Sequence, residues 1–115
     1  MKNKKKVPEI SIIIPCYNLE SIVKTTVKNI LKNLEKFSDS FEILIVNDGS
    51  TDNTLEVIQD IKNNHECIHV ITYSQNKGKG YAVKTGILQS IGSSIVFIDG
   101  DLDITSDAIQ NYIEE

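Results

Sequence analysis

Among its 115 residues the chain has two cysteines, two prolines, one methionine, no tryptophan and no arginine. Cys16 and Cys67 stand alone, without the CxxC spacing of a zinc or redox site, and read as reduced thiols of a cytoplasmic protein. No apolar run approaches the roughly 20 residues of a membrane span. No apolar h-region follows the basic start at Lys2, Lys4, Lys5 and Lys6, so no secretory signal is expected. The pattern GxxxxGK[ST] is missing, as is GxGxxG after the first strand. Both absences argue against a P-loop NTPase or a dinucleotide-binding Rossmann domain. Basic charge is scarce as well. All twelve basic residues are lysine and four lie in the opening segment, leaving eight against sixteen acids and a net charge of −4. Such an acidic body lacks the basic stripe of a nucleic-acid surface, so no nucleic-acid partner is expected.

The length fits one domain able to bury a core without disulfides. Charged residues make up 24%, an ordinary share for a globular protein. Residues 1–7 read as a basic flexible tail, which could alternatively touch anionic lipid headgroups.

From there, apolar β-branched runs alternate with helical patterns. Strands are expected at Ile10–Ile14, ended by Pro15, at Phe41–Val46, at Cys67–Tyr73 and at Ser94–Ile98. A helix from Ile22 carries Val23, Thr26, Val27, Ile30, Leu31 and Leu34 on one face, with Lys24, Lys28, Lys32 and Lys36 opposite as a solvated row. Asn53 and Glu56 resemble a capping box before a helix with Leu55, Ile58 and Ile61. A third helix, after Asn76-Lys77-Gly78-Lys79-Gly80, carries Ala82, Val83, Ile87 and Ile91. Thr105 or Ser106 can cap a last one. Continuous apolar strands joined by helices indicate an α/β fold, a mostly parallel sheet covered on both faces. Ligands of such sheets sit beyond the carboxyl ends of the strands, where the strand order reverses.

The polar residues gather there. Asp99-Gly100-Asp101-Leu102-Asp103 places three acids on alternate positions after the fourth strand. Carboxylates this close repel one another, and a hard divalent cation such as Mg²⁺ or Mn²⁺ relieves that repulsion while also holding phosphate. A calcium loop of the EF-hand type, and with it a calcium-binding structural domain, is the rival. That loop needs Gly and Glu where Ile104 and Gln110 stand, and it follows a helix instead of a strand. Asp48 in Asn47-Asp48-Gly49-Ser50 can accept hydrogen bonds from a base or ribose, or can simply serve a turn and helix cap. Lys79, between two glycines, can meet a phosphate at a helix N-terminus or remain a solvated loop lysine. His65 and His69 pair with no nucleophile or metal set and read as surface residues.

Taken in order, Pro15-Cys16-Tyr17-Asn18, Val46 to Asp52, Asn76 to Gly80 and Asp99-Gly100-Asp101 resemble the nucleotide-sugar-binding part of a family 2 glycosyltransferase. The fold of that family is the Rossmann-like GT-A fold. Within it, Asn76-x-Gly78-Lys79-Gly80 with Ala82-Val83-Lys84-x-Gly86 is most similar to the polyprenyl-phosphate glucose and mannose synthases. The resemblance implies that 8–115 is the donor-binding half of a truncated GT-A domain whose acceptor-binding half is missing. It further implies that Pro15, Tyr17 and Asn18 line the base and ribose pocket and that Asp48 hydrogen-bonds the base. Lys79 then lies at the diphosphate, and Asp99 faces ribose or sugar. Asp101, with Asp103 and Asp99, would hold Mg²⁺ or Mn²⁺, so Asp101 and Lys79 are the implied catalytic residues. Leu19 stands where relatives usually carry Glu, and Glu20 either substitutes for it or leaves one ribose contact out. The implied reaction moves a sugar from a UDP- or GDP-sugar, with inversion, to an acceptor such as a polyprenyl phosphate at a cytoplasmic membrane face. A donor-binding module without transfer activity is the alternative.

Overall fold

A computed structural model describes residues 7–36 and 40–100. Four strands, β1 (Ile10–Cys16), β2 (Phe41–Asp48), β3 (Ile68–Tyr73) and β4 (Ser94–Phe97), alternate with three helices, α1 (Val23–Leu34), α2 (Thr54–Asn63) and α3 (Lys79–Gln89). All strand pairs are parallel, in the order β3-β2-β1-β4. The expected α/β architecture is the one observed.

Strand parity divides the core into two layers. Ile10, Ile12, Ile14, Ile43, Ile45 and Ile68 turn to one face and pack with Val23, Val27, Ile30 and Leu34 of α1 and Ile58 and Ile61 of α2. Ile13, Leu44 and Val46 turn to the other face, where Ala82 of α3 meets them. Ile12, Ile13 and Ile14 have no exposed surface, and each such side chain contributes about 1.5–3 kcal/mol of transfer free energy. Because β1 lies between β2 and β4, the chain leaves it through α1 on one face and returns through α3 on the other. In open α/β sheets ligands bind beyond the carboxyl ends of the strands at such a reversal, here the end of β1.

Several boundaries differ from the sequence reading, each for a physical reason. Pro15 does not end β1 but lies within it, in register with Val46. Ile98 N–H donates to the Ile13 carbonyl at 2.9 Å, so odd residues of β1 turn their backbone groups toward β4. Pro15 falls one rung past the last β4 pair, Ile13 with Phe97, so its missing N–H breaks no ladder bond. β2 continues to Asp48 because Asn47 and Asp48 pair with Thr72 and Tyr73.

At the head of α2 no side-chain bond comes from Asn53, so the expected capping box is not formed. Asp52 takes that part, its carboxylate accepting from the Thr54 N–H (2.9 Å) and hydroxyl. α3 stops at Gln89, leaving Ile91 outside it, and Ile87 is exposed. Its sheet-facing contacts are Ala82 and Gly86, a glycine whose added Cβ would lie 2.5 Å from Ile13. Lys24, Lys28, Lys32 and Lys36 are exposed, as read. His69 approaches the buried Glu42, Nε2 to Oε1 3.5 Å, which adds a partner to what the sequence read as a bare surface residue. Among the described residues no helix is long and apolar enough to cross a membrane.

Candidate functional site

Three loops meet at the carboxyl end of the sheet, and one buried carboxylate organises two of them. Asp48 is 3% exposed and closes β2. Its Oδ1 accepts the Tyr73 hydroxyl (2.7 Å) and the Lys77 N–H (2.9 Å). Its Oδ2 accepts the Asn76 amide (2.9 Å) and the Gly78 N–H (3.0 Å). The Asn76 amide also donates to the Asp48 carbonyl at 3.0 Å. A carboxylate has about four acceptor positions; the last residue of β3 fills one and the β3–α3 connection fills the other three. Asp48 therefore shapes the loop that delivers Lys79. The turn allows this because Gly49, at φ 66°, brings its backbone against Gln75 and Asn76; a Cβ there would lie 2.3 Å from the Asn76 nitrogen.

The second tie joins the loops after β1 and β2. Asn18 sits at φ 54°, and its side-chain oxygen accepts the N–H groups of Thr51 (2.8 Å) and Asp52 (3.3 Å). Its own N–H donates to the Ser50 hydroxyl at 3.0 Å, and Leu19 N–H donates to the Thr54 hydroxyl at 2.8 Å. Glu20 accepts the Asn53 N–H at 3.0 Å, so its carboxylate is tied to the start of α2. Tyr17 is 45% exposed beside these ties, while Pro15 is buried in β1.

The third element follows β4. Lys79, the first residue of α3, places Nζ 3.0 Å from Oδ1 and 3.2 Å from Oδ2 of Asp99. Side-chain exposures of 60% and 29% make this a solvent-screened pair worth at most about 1 kcal/mol, weak enough for either group to exchange partners. Gly100 is buried against β1; a Cβ would lie 2.9 Å from Leu19 Cδ1, 3.0 Å from Cys16 Sγ and 3.1 Å from the Pro15 oxygen. Leu19, in the position where an acid was expected, thus packs on the glycine of the acid cluster.

Asp101 and Asp103 lie outside the described residues. Among the described residues no group of three His, Cys, Asp or Glu side chains could hold a metal. Asp99 is the described member of the acid cluster, and a carboxylate that already draws a cation is a donor suited to Mg²⁺ or Mn²⁺.

The structure thus gathers Tyr17, Asn18, Asp48, Lys79 and Asp99 at one sheet edge, with Glu20 at its rim. Sequence reasoning missed Tyr73, and it read Asn76 as part of a motif without its bond to Asp48. The signal for Tyr73 was register: it closes β3 directly opposite Asp48, on the same face. Beside these ties an open pocket of about 510 Å³ lies between α2 and the ends of β2 and β3, lined by Asn47, Ser50, Asp52, Glu56, Thr72 and Tyr73 among others.

Comparison with known proteins gives the family. The family model "Glycosyl transferase family 2" matches residues 11–115. The poly-beta-1,6-N-acetyl-D-glucosamine synthase of Staphylococcus epidermidis is 37% identical over 111 residues, 96% of this chain and 26% of that protein. The dolichyl-phosphate beta-glucosyltransferase of Saccharomyces cerevisiae is 38% identical over 98 residues, 80% of this chain and 29% of that protein. Among solved structures, a Pyrobaculum calidifontis mannosyltransferase in complex with GDP-Man and Mn²⁺ shares the fold, with TM-score 0.79 and 22% identity over 96% of this chain and 33% of that one. Glucosyl-3-phosphoglycerate synthase from Mycobacterium tuberculosis, with Mn²⁺, UDP and phosphoglyceric acid, gives TM-score 0.63 at 26% identity over 83% and 34%. The chain spans about a third or less of the length of each.

Proposed function

The chain belongs to glycosyl transferase family 2 and has its GT-A fold, and from that premise we propose that residues 8–115 bind the nucleotide-sugar donor of a sugar-transfer reaction. The observation that carries this reading is the meeting of Asp48, Lys79 and Asp99 with Tyr17 and Asn18 at the strand-order reversal, where parallel sheets take ligands. Tyr17 offers its exposed ring to the base, and Asn18 fixes the loop that carries it. Asp48 serves the base side by holding Asn76 to Gly78 in place; a base N–H would reach its carboxylate by exchanging with one of these donors. Glu20 stands at the ribose rim.

Lys79 is the phosphate-side group. Its ammonium, held loosely by Asp99, can turn to the diphosphate and stabilise the negative charge that grows as the sugar departs. Asp99, Asp101 and Asp103 would hold Mg²⁺ or Mn²⁺, which when bound supplies Lewis-acid neutralisation of the same diphosphate. The manganese in the Mycobacterium tuberculosis relative supports this assignment. The UDP of that relative supports a UDP-sugar as the donor, with a GDP-sugar as the other class to be tested.

For the acceptor we favour a polyprenyl phosphate at the cytoplasmic face of a membrane, on the likeness to the dolichyl-phosphate enzyme. A phosphate monoester is already anionic near pH 7 and attacks the anomeric carbon, with inversion, without needing a protein base. The test is the whole protein with UDP-glucose or GDP-mannose, Mn²⁺ and a polyprenyl phosphate in detergent. A glycosylated lipid phosphate is expected. Donor binding with neither transfer nor donor hydrolysis would leave only the binding-module reading.

A further inference from the structure

We infer that Tyr73 is a positioning residue for the diphosphate of the donor, acting through Asp48 and the first turn of α3. This rests on the reading of Lys79 as the phosphate-side group, and it adds a residue from β3 that touches no expected ligand atom. Three contacts carry it. The Tyr73 hydroxyl donates to Asp48 Oδ1 at 2.7 Å, the shortest of the four bonds to that carboxylate. The Tyr73 ring meets the Tyr81 ring edge-on, with centroids 5.4 Å apart and planes at 89°, so it also braces the first turn of α3. Lys77 Nζ lies 5.4 Å from the Tyr81 centroid and covers the same turn.

Between these contacts lies the segment that aims Lys79. Gly78 adopts φ 97°, a conformation open to glycine, and its N–H is fixed on Asp48 Oδ2. Its carbonyl accepts the Ala82 N–H at 3.1 Å and so starts α3, with Lys79 next in the chain. Tyr73 thus holds both ends of a short lever, the carboxylate that anchors Gly78 and the ring that anchors Tyr81. Burial and the bond to Asp48 push the Tyr73 hydroxyl well above the usual phenol range, which keeps it a donor throughout the working pH range. Removing that donor frees one acceptor position on Asp48, lets the carboxylate rotate toward solvent and loosens the Gly78 anchor.

The test compares UDP with UMP, since the two differ in the phosphate that Lys79 is proposed to meet. Both are titrated into the protein with Mn²⁺, as wild type, Tyr73→Phe, Lys79→Gln and the double variant. Phe keeps the ring contact and removes the hydroxyl. Tyr73→Phe is expected to weaken UDP about tenfold and UMP less than threefold, the scale of one hydrogen bond to a charged group. In the Lys79→Gln background the same change should move neither ligand further, because the two residues act as one unit. An unchanged UDP-to-UMP ratio in Tyr73→Phe, or fully additive losses in the double variant, overturns the proposal, whatever happens to the melting temperature. Should Tyr73→Phe not fold, Tyr81→Leu removes the ring contact instead and should shift the ratio in the same direction; no shift there overturns it too. Failure of the wild type to bind UDP at all would instead sink the donor-site reading, so the two failures are distinguishable.

Discussion

Asn18 holds its backbone in the left-handed region, φ 54°, and from there its side-chain oxygen accepts the Thr51 N–H at 2.8 Å. One residue thereby fastens the turn after β1 to the turn after β2. Asn is among the few side chains that tolerate this conformation. Asn18→Ala loses both the conformation and the bonds and should cost about 1–3 kcal/mol in urea unfolding. Asn18→Gly should recover the backbone part alone, so a smaller loss that still weakens nucleotide binding is expected. Equal stabilities for Ala and Gly would contradict the strain argument.

Gly49 is the tightest backbone approach at the site. An alanine there would be placed 2.3 Å from Asn76 N and 2.4 Å from the Gln75 carbonyl carbon, at a φ of 66°. Main chain cannot yield as a flexible side chain can. Gly49→Ala should therefore destabilise by about 3 kcal/mol or more and should separate Asp48 from the Asn76–Gly78 segment. Circular-dichroism melts measure the first effect, and amide chemical shifts of Lys77 and Gly78 the second.

Asp52 links acid stability to the head of α2. Burial works to raise its carboxyl, but the hydroxyl and N–H of Thr54 outweigh this and hold it below the usual 3.8. Its depressed folded value means that its contribution is complete above about pH 4 and fades as pH falls through the folded value. Asp52→Ala should lose about 1 kcal/mol at pH 7, as for other helix caps, with the difference from wild type shrinking below pH 4. A pH-independent difference would remove the carboxylate from the account.

Glu42 is buried far from the site and should affect stability alone. It accepts the Ser11 hydroxyl at 2.6 Å and the Ile91 N–H at 2.8 Å, while Ser11 in turn accepts the Gly92 N–H at 2.8 Å. These bonds clamp the segment between α3 and β4 to the amino ends of β1 and β2, the ends away from the site. Glu42→Ala takes the acceptor from the buried Ser11 hydroxyl and the part-buried Ile91 N–H and should cost about 1–3 kcal/mol, with Glu42→Gln losing less. Nucleotide affinity of the folded variant should be unchanged.

Strand and helix order was readable because β-branched runs and a 3.6-residue stripe are local signals. Asp48 and Lys79 were readable as candidates from their place after strands and glycines. What could not be read was the partnership of Asp48 with Tyr73, Asn76 and Gly78, residues 25 to 30 positions away that meet it only once β2 and β3 pair. The same holds for Pro15, whose place inside β1 depends on where β4 stops. The capping box failed because Glu20, from the turn after β1, accepts the Asn53 N–H that Glu56 would have taken. Glu42, an acid inside an apolar strand, gave no local sign of the Ile91 N–H it would meet 49 positions later.

Metal-dependent donor binding tests the central claim most directly. Calorimetric titration of the 115-residue chain with UDP-glucose and GDP-mannose, each with and without Mn²⁺, should show one of them binding. That binding should need the metal, weaken at least about tenfold in Lys79→Gln, and disappear in Asp101→Ala. Tight calcium binding with no effect of either nucleotide sugar, or donor binding indifferent to metal and to Asp101, would contradict the account.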